Sequence, residues 1–212
     1  MNANTAHPDV NRAAVPPAPD WSEEDRARAD HYALLAQLFY APPDALLLAA
    51  LATTGKSLAH GTGPLAAAWT ALADSAAQAD PDAVQDEYER LFVAIGKPEV
   101  TLCGSYYQTG FLHEEPLADL RDDLARLGLG RRAGIGETED HVAALSEVMR
   151  HLVVTGPDAA GLARQHEFFV RHLQPWYGAL CDALAQQEGF YARVGALTRA
   201  FLDIESEAFS FD

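Results

Sequence analysis

Beyond about residue 20, apolar side chains recur every three or four positions in one segment after another, the spacing of helices that each bury a single stripe. Ser22 can cap a first helix that runs to Tyr40, with Ala27, Leu34, Leu35, Leu38 and Phe39 on its apolar side. Pro42-Pro43 stops it. A short Leu/Ala helix follows from near Asp44 to Thr53 and ends at Gly55. Pro64 opens another, through Trp69 and Leu72 to about Gln78. Asp80-Pro81 joins a capping carboxylate to a proline at the first helical position. Behind it Val84, Tyr88, Leu91, Phe92 and Ile95 form one stripe, closed by Gly96. Pro116 starts a helix burying Leu117, Leu120, Leu124 and Leu127, ended by Gly128 and Gly130. Val142, Leu145, Val148, Met149 and Leu152 mark the next, broken at Gly156-Pro157. A helix from Asp158 to Leu173 turns Leu162, Phe169 and Leu173 inward, and Pro175 separates it from one over Trp176 to Gln187. The last, Phe190 to Glu207, carries Val194, Leu197, Phe201 and Ile204.

No β-branched run alternates with polar residues, so strands are not expected. The fold class is all-α: a single-domain bundle of about eight to ten helices with one long irregular loop over 97–115. Pro8, Pro16, Pro17 and Pro19 mark residues 1–20 as a disordered leader, and 21–212 as the helical domain.

Charge narrows the partners. The 212 residues carry a formal net charge of −16, which argues against nucleic acid and anionic membrane and favours basic ligands. No run of about 18 apolar residues occurs, so no membrane insertion is expected, and the start lacks the basic-then-apolar order of a secretory signal. The two cysteines, Cys103 and Cys181, form no CxxC, which fits a reducing compartment.

Catalytic and cofactor patterns are weak. No two histidines lie three or four residues apart, and none follows a glutamate in Glu-x-x-His, so neither a metal nor another cofactor is expected. No Gly-x-Ser-x-Gly is present. Ala50-x-x-x-x-Gly55-Lys56-Ser57 has the outline of a phosphate-binding loop, which would require a strand before it and a helix after. A nucleotide-binding protein using Gly55, Lys56 and Ser57 is thus one alternative; a helix end followed by a loop is the other. Arg131-Arg132 is an internal twin arginine followed by Ala-Gly-Ile-Gly, which reads as a solvated loop.

The informative stretch is Gly96 to Val154, with Tyr106, Tyr107 and the cluster Glu137-x-x-Asp140-His141. The carboxylates can cap a helix start and complement its dipole. They can equally face a groove and receive a ligand's guanidinium, and one can do each.

Four blocks carry a resemblance. They are Glu87-Tyr88-x-x-Leu91-Phe92; Leu102-Cys103-Gly104-Ser105-Tyr106-Tyr107 with Pro116-Leu117-x-x-Leu120-Arg121; Glu137-Thr138-Glu139-Asp140-His141; and Phe169-x-x-His172-Leu173-x-Pro175-Trp176. In their order and spacing the chain resembles the TorD/DmsD/NarJ family of cytoplasmic chaperones for molybdenum-containing oxidoreductases. The resemblance implies an all-α fold, no catalysis, and binding of the twin-arginine signal peptide or the apoprotein of a molybdopterin oxidoreductase before export. It places Glu137, Asp140 and His141 at the client groove, with Ser105 and Tyr107 lining it. His172, Pro175 and Trp176 match as well, either as contacts or as the junction between two helices. Thr138 stands where family members commonly have proline, and Cys103 where a bulky aromatic is frequent. Ser-Tyr-Tyr-Gln-Thr-Gly is most similar to chaperones of formate dehydrogenase-type enzymes. An assembly factor docking on a non-exported subunit, as in the nitrate-reductase branch, is the alternative within the family. A monomer or a segment-swapped dimer is compatible with the long loops.

Overall fold

The computed structural model describes residues 22–58, 61–93, 98–112, 114–131, 134 and 136–210. The expected leader over 1–20 lies outside them, as do Ile95 and Gly96 at the end of the fourth stripe.

Ten α-helices and one π-helical turn are present among the described residues, and no strand. Helix α1 (Glu23–Tyr40) begins where the Ser22 hydroxyl accepts from the Asp25 N–H at 2.9 Å. Its buried face is Ala29, Tyr32, Leu35, Ala36, Leu38 and Phe39, while Ala27, expected inside, is exposed. Helix α2 (Ala45–Leu58) does not stop at Gly55. It runs through it because α3 (Pro64–Gln78) crosses there: a Cβ on Gly55 would sit 2.5 Å from the Ala73 Cβ. The glycine is thus a contact point between helices rather than a terminator. Residues 50–57 are continuous helix, so the chain lacks the strand and loop that a phosphate-binding Gly55-Lys56-Ser57 would need.

Helix α4 (Pro81–Tyr88) is capped by Asp80 as its sequence predicts, and continues into the π-helical turn Glu89–Val93. The irregular stretch expected over 97–115 contains a short helix, α5 (Gly104–Thr109), before α6 (Glu115–Arg126). Then come α7 (Val142–Thr155), α8 (Ala159–His172), α9 (Tyr177–Ala185) and α10 (Phe190–Phe209). Leu162 and Ile204, expected inside, are 37% and 46% exposed.

Helix α1 packs on α7, α2 on α3, and α10 against α3 and α9, around one continuous core. Its largest fully buried side chains are Trp176, Tyr32, Tyr191, Phe39 and Phe169. Two polar ties cross this core. Glu205 of α10, 2% exposed, takes Nε and Nη2 of Arg28 at 2.7 and 2.9 Å and the Tyr32 hydroxyl at 2.9 Å. Burial, then the Glu205 carboxylate, pushes the Tyr32 phenol well above its ordinary value. Glu87 of α4 caps α10 from outside it, accepting from the Phe190 and Tyr191 N–H groups at 3.0 and 2.9 Å. Gly189, at φ +100°, makes the approach possible, since a Cβ there would lie 2.6 Å from the Glu87 carboxylate.

Candidate functional site

Three of the four sequence blocks meet in space. The segment leading into α5 runs beside the one leading into α7, as a single antiparallel bridge between Cys103 and His141. The Gly104 N–H donates to the Asp140 carbonyl at 3.0 Å and the Val142 N–H to the Leu102 carbonyl at 2.8 Å. Asp140 ties the two together. Its Oδ2 accepts from both the N–H and the hydroxyl of Ser105, at 2.8 and 2.6 Å, and its Oδ1 accepts from the Thr138 hydroxyl at 2.5 Å. The carboxylate therefore caps α5, whose second residue is Ser105, and not its own helix α7. The cap of α7 is His141, whose Nδ1 accepts from the Ala143 N–H at 3.2 Å.

The fourth block closes the arrangement from the other side. The Trp176 indole donates to the His172 carbonyl at 2.6 Å, and its ring stacks on Tyr107 at 5.7 Å between centroids and 13° between planes. Gly104 lies under this ring: a Cβ there would be 2.6 Å from the indole nitrogen. Tyr107 donates to the Thr101 carbonyl at 2.8 Å. His172 is bonded through Nε2 to Asp123 at 2.8 Å, and Asp123 also pairs with Arg126 and Arg171.

These contacts sort the expected site residues. Asp140, Ser105, His141, His172 and Trp176 are buried, with their polar atoms directed inward. Tyr107 is half-buried, and Pro175 and Glu137 are exposed. Glu137 lies close enough to the Tyr88 phenol to act on it: burial first, then the Glu137 carboxylate, raises Tyr88 to about 12. Tyr88 in turn donates to the Phe39 and Tyr40 carbonyls at the end of α1. The exposed carboxylate is thus within electrostatic reach of the phenol that anchors the end of α1, where Tyr40 is 54% exposed; Val93, at the end of the π-helical turn that follows Tyr88, is 60% exposed. Neither apolar residue is marked by the sequence pattern, because each falls at the end of a stripe that is otherwise buried.

Glu139 was not among the expected residues. Its Oε2 accepts from Arg121 Nε and Nη2 at 3.0 and 2.9 Å. Burial opposes ionisation there, yet the Arg121 hydrogen bond and the charges of Arg121 and Arg131 hold its carboxyl below the usual range. Cys103 is raised to about 11, by burial and then by Asp140, so it is a protonated thiol at neutral pH and not an activated nucleophile. No group of three or more His, Cys, Asp or Glu side chains suited to a metal ion occurs among the described residues.

Burial lowers His141 below its ordinary value near 6.5, against the pull of the Glu137 and Asp140 carboxylates. The folded ring stays neutral where the unfolded one would take a proton. Its contribution is therefore intact above the unfolded value and is lost as pH falls below it. His172 is also lowered, by burial, and adds to the same slope. His141→Asn keeps a capping side chain and removes one of the two titrations. The drop in melting temperature from about pH 7.5 to about pH 5.5 should be smaller in the variant than in the wild type. An equal drop would show that the ring carries no part of the slope.

This all-α bundle has counterparts among known proteins. The sequence profile of the nitrate reductase delta subunit family covers residues 60–182, and the chain belongs to that family, the TorD/NarJ family of the four-block resemblance. Among its relatives are the chaperone protein TorD of Vibrio cholerae serotype O1, from an El Tor Inaba and a classical Ogawa strain. Each is 26% identical over 106 residues, 46% of this chain and 48% of the relative. The chain thus aligns with about half the length of these curated relatives. A crystal structure described as a redox enzyme maturation protein from Archaeoglobus fulgidus shares the fold. Its TM-score is 0.55 at 17% identity, over 84% of this chain and 93% of that one.

Proposed function

We propose that this chain is a cytoplasmic, non-enzymatic maturation chaperone that holds a molybdenum-containing oxidoreductase before export, gripping the twin-arginine leader or the apoprotein at the surface around Glu137. The observation that carries this reading is an exposed carboxylate, Glu137, on a segment braced by Asp140, within electrostatic reach of the Tyr88 phenol that anchors the α1 end where Tyr40 is exposed. A twin-arginine leader has a basic head and an apolar stretch, and that surface offers a partner to each. A guanidinium–carboxylate pair gives orientation, and apolar burial gives most of the affinity, at roughly 25 cal/mol per Å² before the peptide's ordering cost. The net charge of −16 speeds encounter with a basic segment. Family membership and the TorD relatives support the class. The Ser105 to Gly110 segment is the ground for a formate dehydrogenase-type client.

In this reading Glu137 and Tyr107 touch the client. Asp140, Ser105, His141, His172 and Trp176 are positioning residues, which hold the segment in shape without reaching the surface. Pro175 is exposed beside Trp176 and open to contact.

Titration calorimetry with a leader peptide bearing two consecutive arginines tests it. The wild type should bind, and Glu137→Gln should weaken binding about two- to tenfold, the range of an exposed to partly desolvated ion pair. Equal affinity would remove Glu137 from the site. Failure of the wild type to bind both the leader and the apo form of its client would overturn the proposal. A second reading rests on the family's description as a nitrate reductase delta subunit: docking on a subunit that is not exported. Capture of a client lacking its leader separates the two.

A further inference from the structure

The chain carries a twin arginine of its own, Arg131-Arg132, within the linker from α6 to the Glu137 segment. Arg131 Nη1 donates to the Glu137 carbonyl at 3.2 Å, and its Nε lies 3.7 Å from Glu139 Oε1. We propose that Arg131 is an internal stand-in for the client's arginine: it rests on the Glu137–Glu139 segment in the free protein and is displaced when a basic client docks. This inference rests on the client-binding reading given above.

The geometry favours exchange at this contact over its neighbours. Glu139 divides its two oxygens between two arginines. Oε2 is held by Arg121 at 2.9 and 3.0 Å, whereas Arg131 approaches Oε1 only at 3.7 Å. Arg121 belongs to α6, so its position is set by a packed helix. Arg131 belongs to a linker with Gly128 and Gly130 before it and Gly134 and Gly136 after it. Gly128 and Gly134 adopt φ of +72° and +88°, where a side chain would be strained. The Arg131 side chain is 40% exposed, so the contact can break into water without uncovering the core. A guanidinium arriving from a client would find there the carbonyl of Glu137 and the outer oxygen of Glu139, two acceptors on one side that a planar, five-donor group can use together.

The test is calorimetry of the full chain with the same two-arginine leader peptide, comparing wild type, Arg131→Gln, Arg131→Lys and Arg150→Gln. Arg150 is exposed on α7 and pairs locally with Glu147 at 3.4 Å, so it controls for the added negative charge. Arg131→Gln should bind about two- to fivefold tighter, because the exposed contact to Glu139 no longer has to be broken. Arg131→Lys should fall between it and the wild type, and Arg150→Gln should match the wild type. Circular dichroism of each variant fixes the folded fraction used in the fit. Equal or weaker binding by Arg131→Gln, with the wild type binding, would overturn this inference and leave the proposed function standing. An equal gain in Arg150→Gln would also overturn it, by assigning the effect to net charge. No binding of the leader by any of the four would overturn this inference, and the proposed function with it where the wild type also fails to bind the apo form of its client.

Discussion

Asp140→Ala is expected to lower the free energy of unfolding by about 3 kcal/mol, and with it client binding. The aspartate is 4% exposed, and three donors converge on its carboxylate: the Ser105 N–H, the Ser105 hydroxyl and the Thr138 hydroxyl. Alanine leaves both Ser105 donors buried without an acceptor and removes the cap of α5, while the part-buried Thr138 hydroxyl keeps Cys103 Sγ at 3.6 Å. Hydrogen bonds to a charged acceptor are worth about 1.5–3 kcal/mol each, but the segment can relax toward solvent, so the sum is not realised. At this chain length about 2–4 °C is lost per kcal/mol, so thermal melting should show a fall of about 6–12 °C. Asp140→Asn should fall less, because one carbonyl oxygen remains for Ser105 and the new amide can donate to the Thr138 hydroxyl. A melting curve for Asp140→Ala within a degree of the wild type would mean that the two segments are held by something other than this carboxylate.

Glu205→Ala should cost as much or more, about 3–5 kcal/mol, the loss found when one partner of a buried ion pair is removed. The change takes the two short bonds from a guanidinium that is only 15% exposed, leaving it the longer contact to Asp25 at 3.5 Å, and strands the buried Tyr32 hydroxyl where α1 meets α10. Denaturant unfolding measures it, as a lower midpoint at an unchanged slope. Affinity per folded molecule for the leader peptide should stay at the wild-type level, because Glu205 contacts none of the residues around Glu137. The Asp140 and Glu205 variants therefore separate support of the surface from support of the bundle. A Glu205→Ala protein as stable as the wild type would show that Arg28 finds another partner at no cost.

Most of the helices were legible because their signals are local. Ser22, Asp80 and Asp158 each cap the helix that follows them, and prolines and apolar spacing do the rest. Gly55 misled because a glycine that ends a helix and one that lets two helices touch look alike until the second helix is known. Leu162 and Ile204 were placed inside because they continue an apolar period, whereas the bundle leaves those positions uncovered.

The site was legible as a set of blocks but not as a mechanism. Asp140 reads locally as a cap for α7, yet it caps α5, 35 residues earlier in the chain. Glu87 likewise caps α10 from 103 residues away. Neither partnership leaves a local trace. Thr138, a departure from the common family proline, supplies a hydroxyl to Asp140 and so joins the same network. What separates a touching residue from a positioning one is burial, and burial at a segment junction depends on elements distant in sequence.

The most direct measurement is amide hydrogen exchange of the full chain with and without the two-arginine leader peptide. The account predicts slower exchange at the π-helical turn 89–93, at 99–109 and at 136–142, the surface that holds Glu137. Protection confined instead to the open groove of about 820 Å³ between α3, α4 and α10, lined by Asp74, Gln78, Glu87 and Arg193, would contradict it.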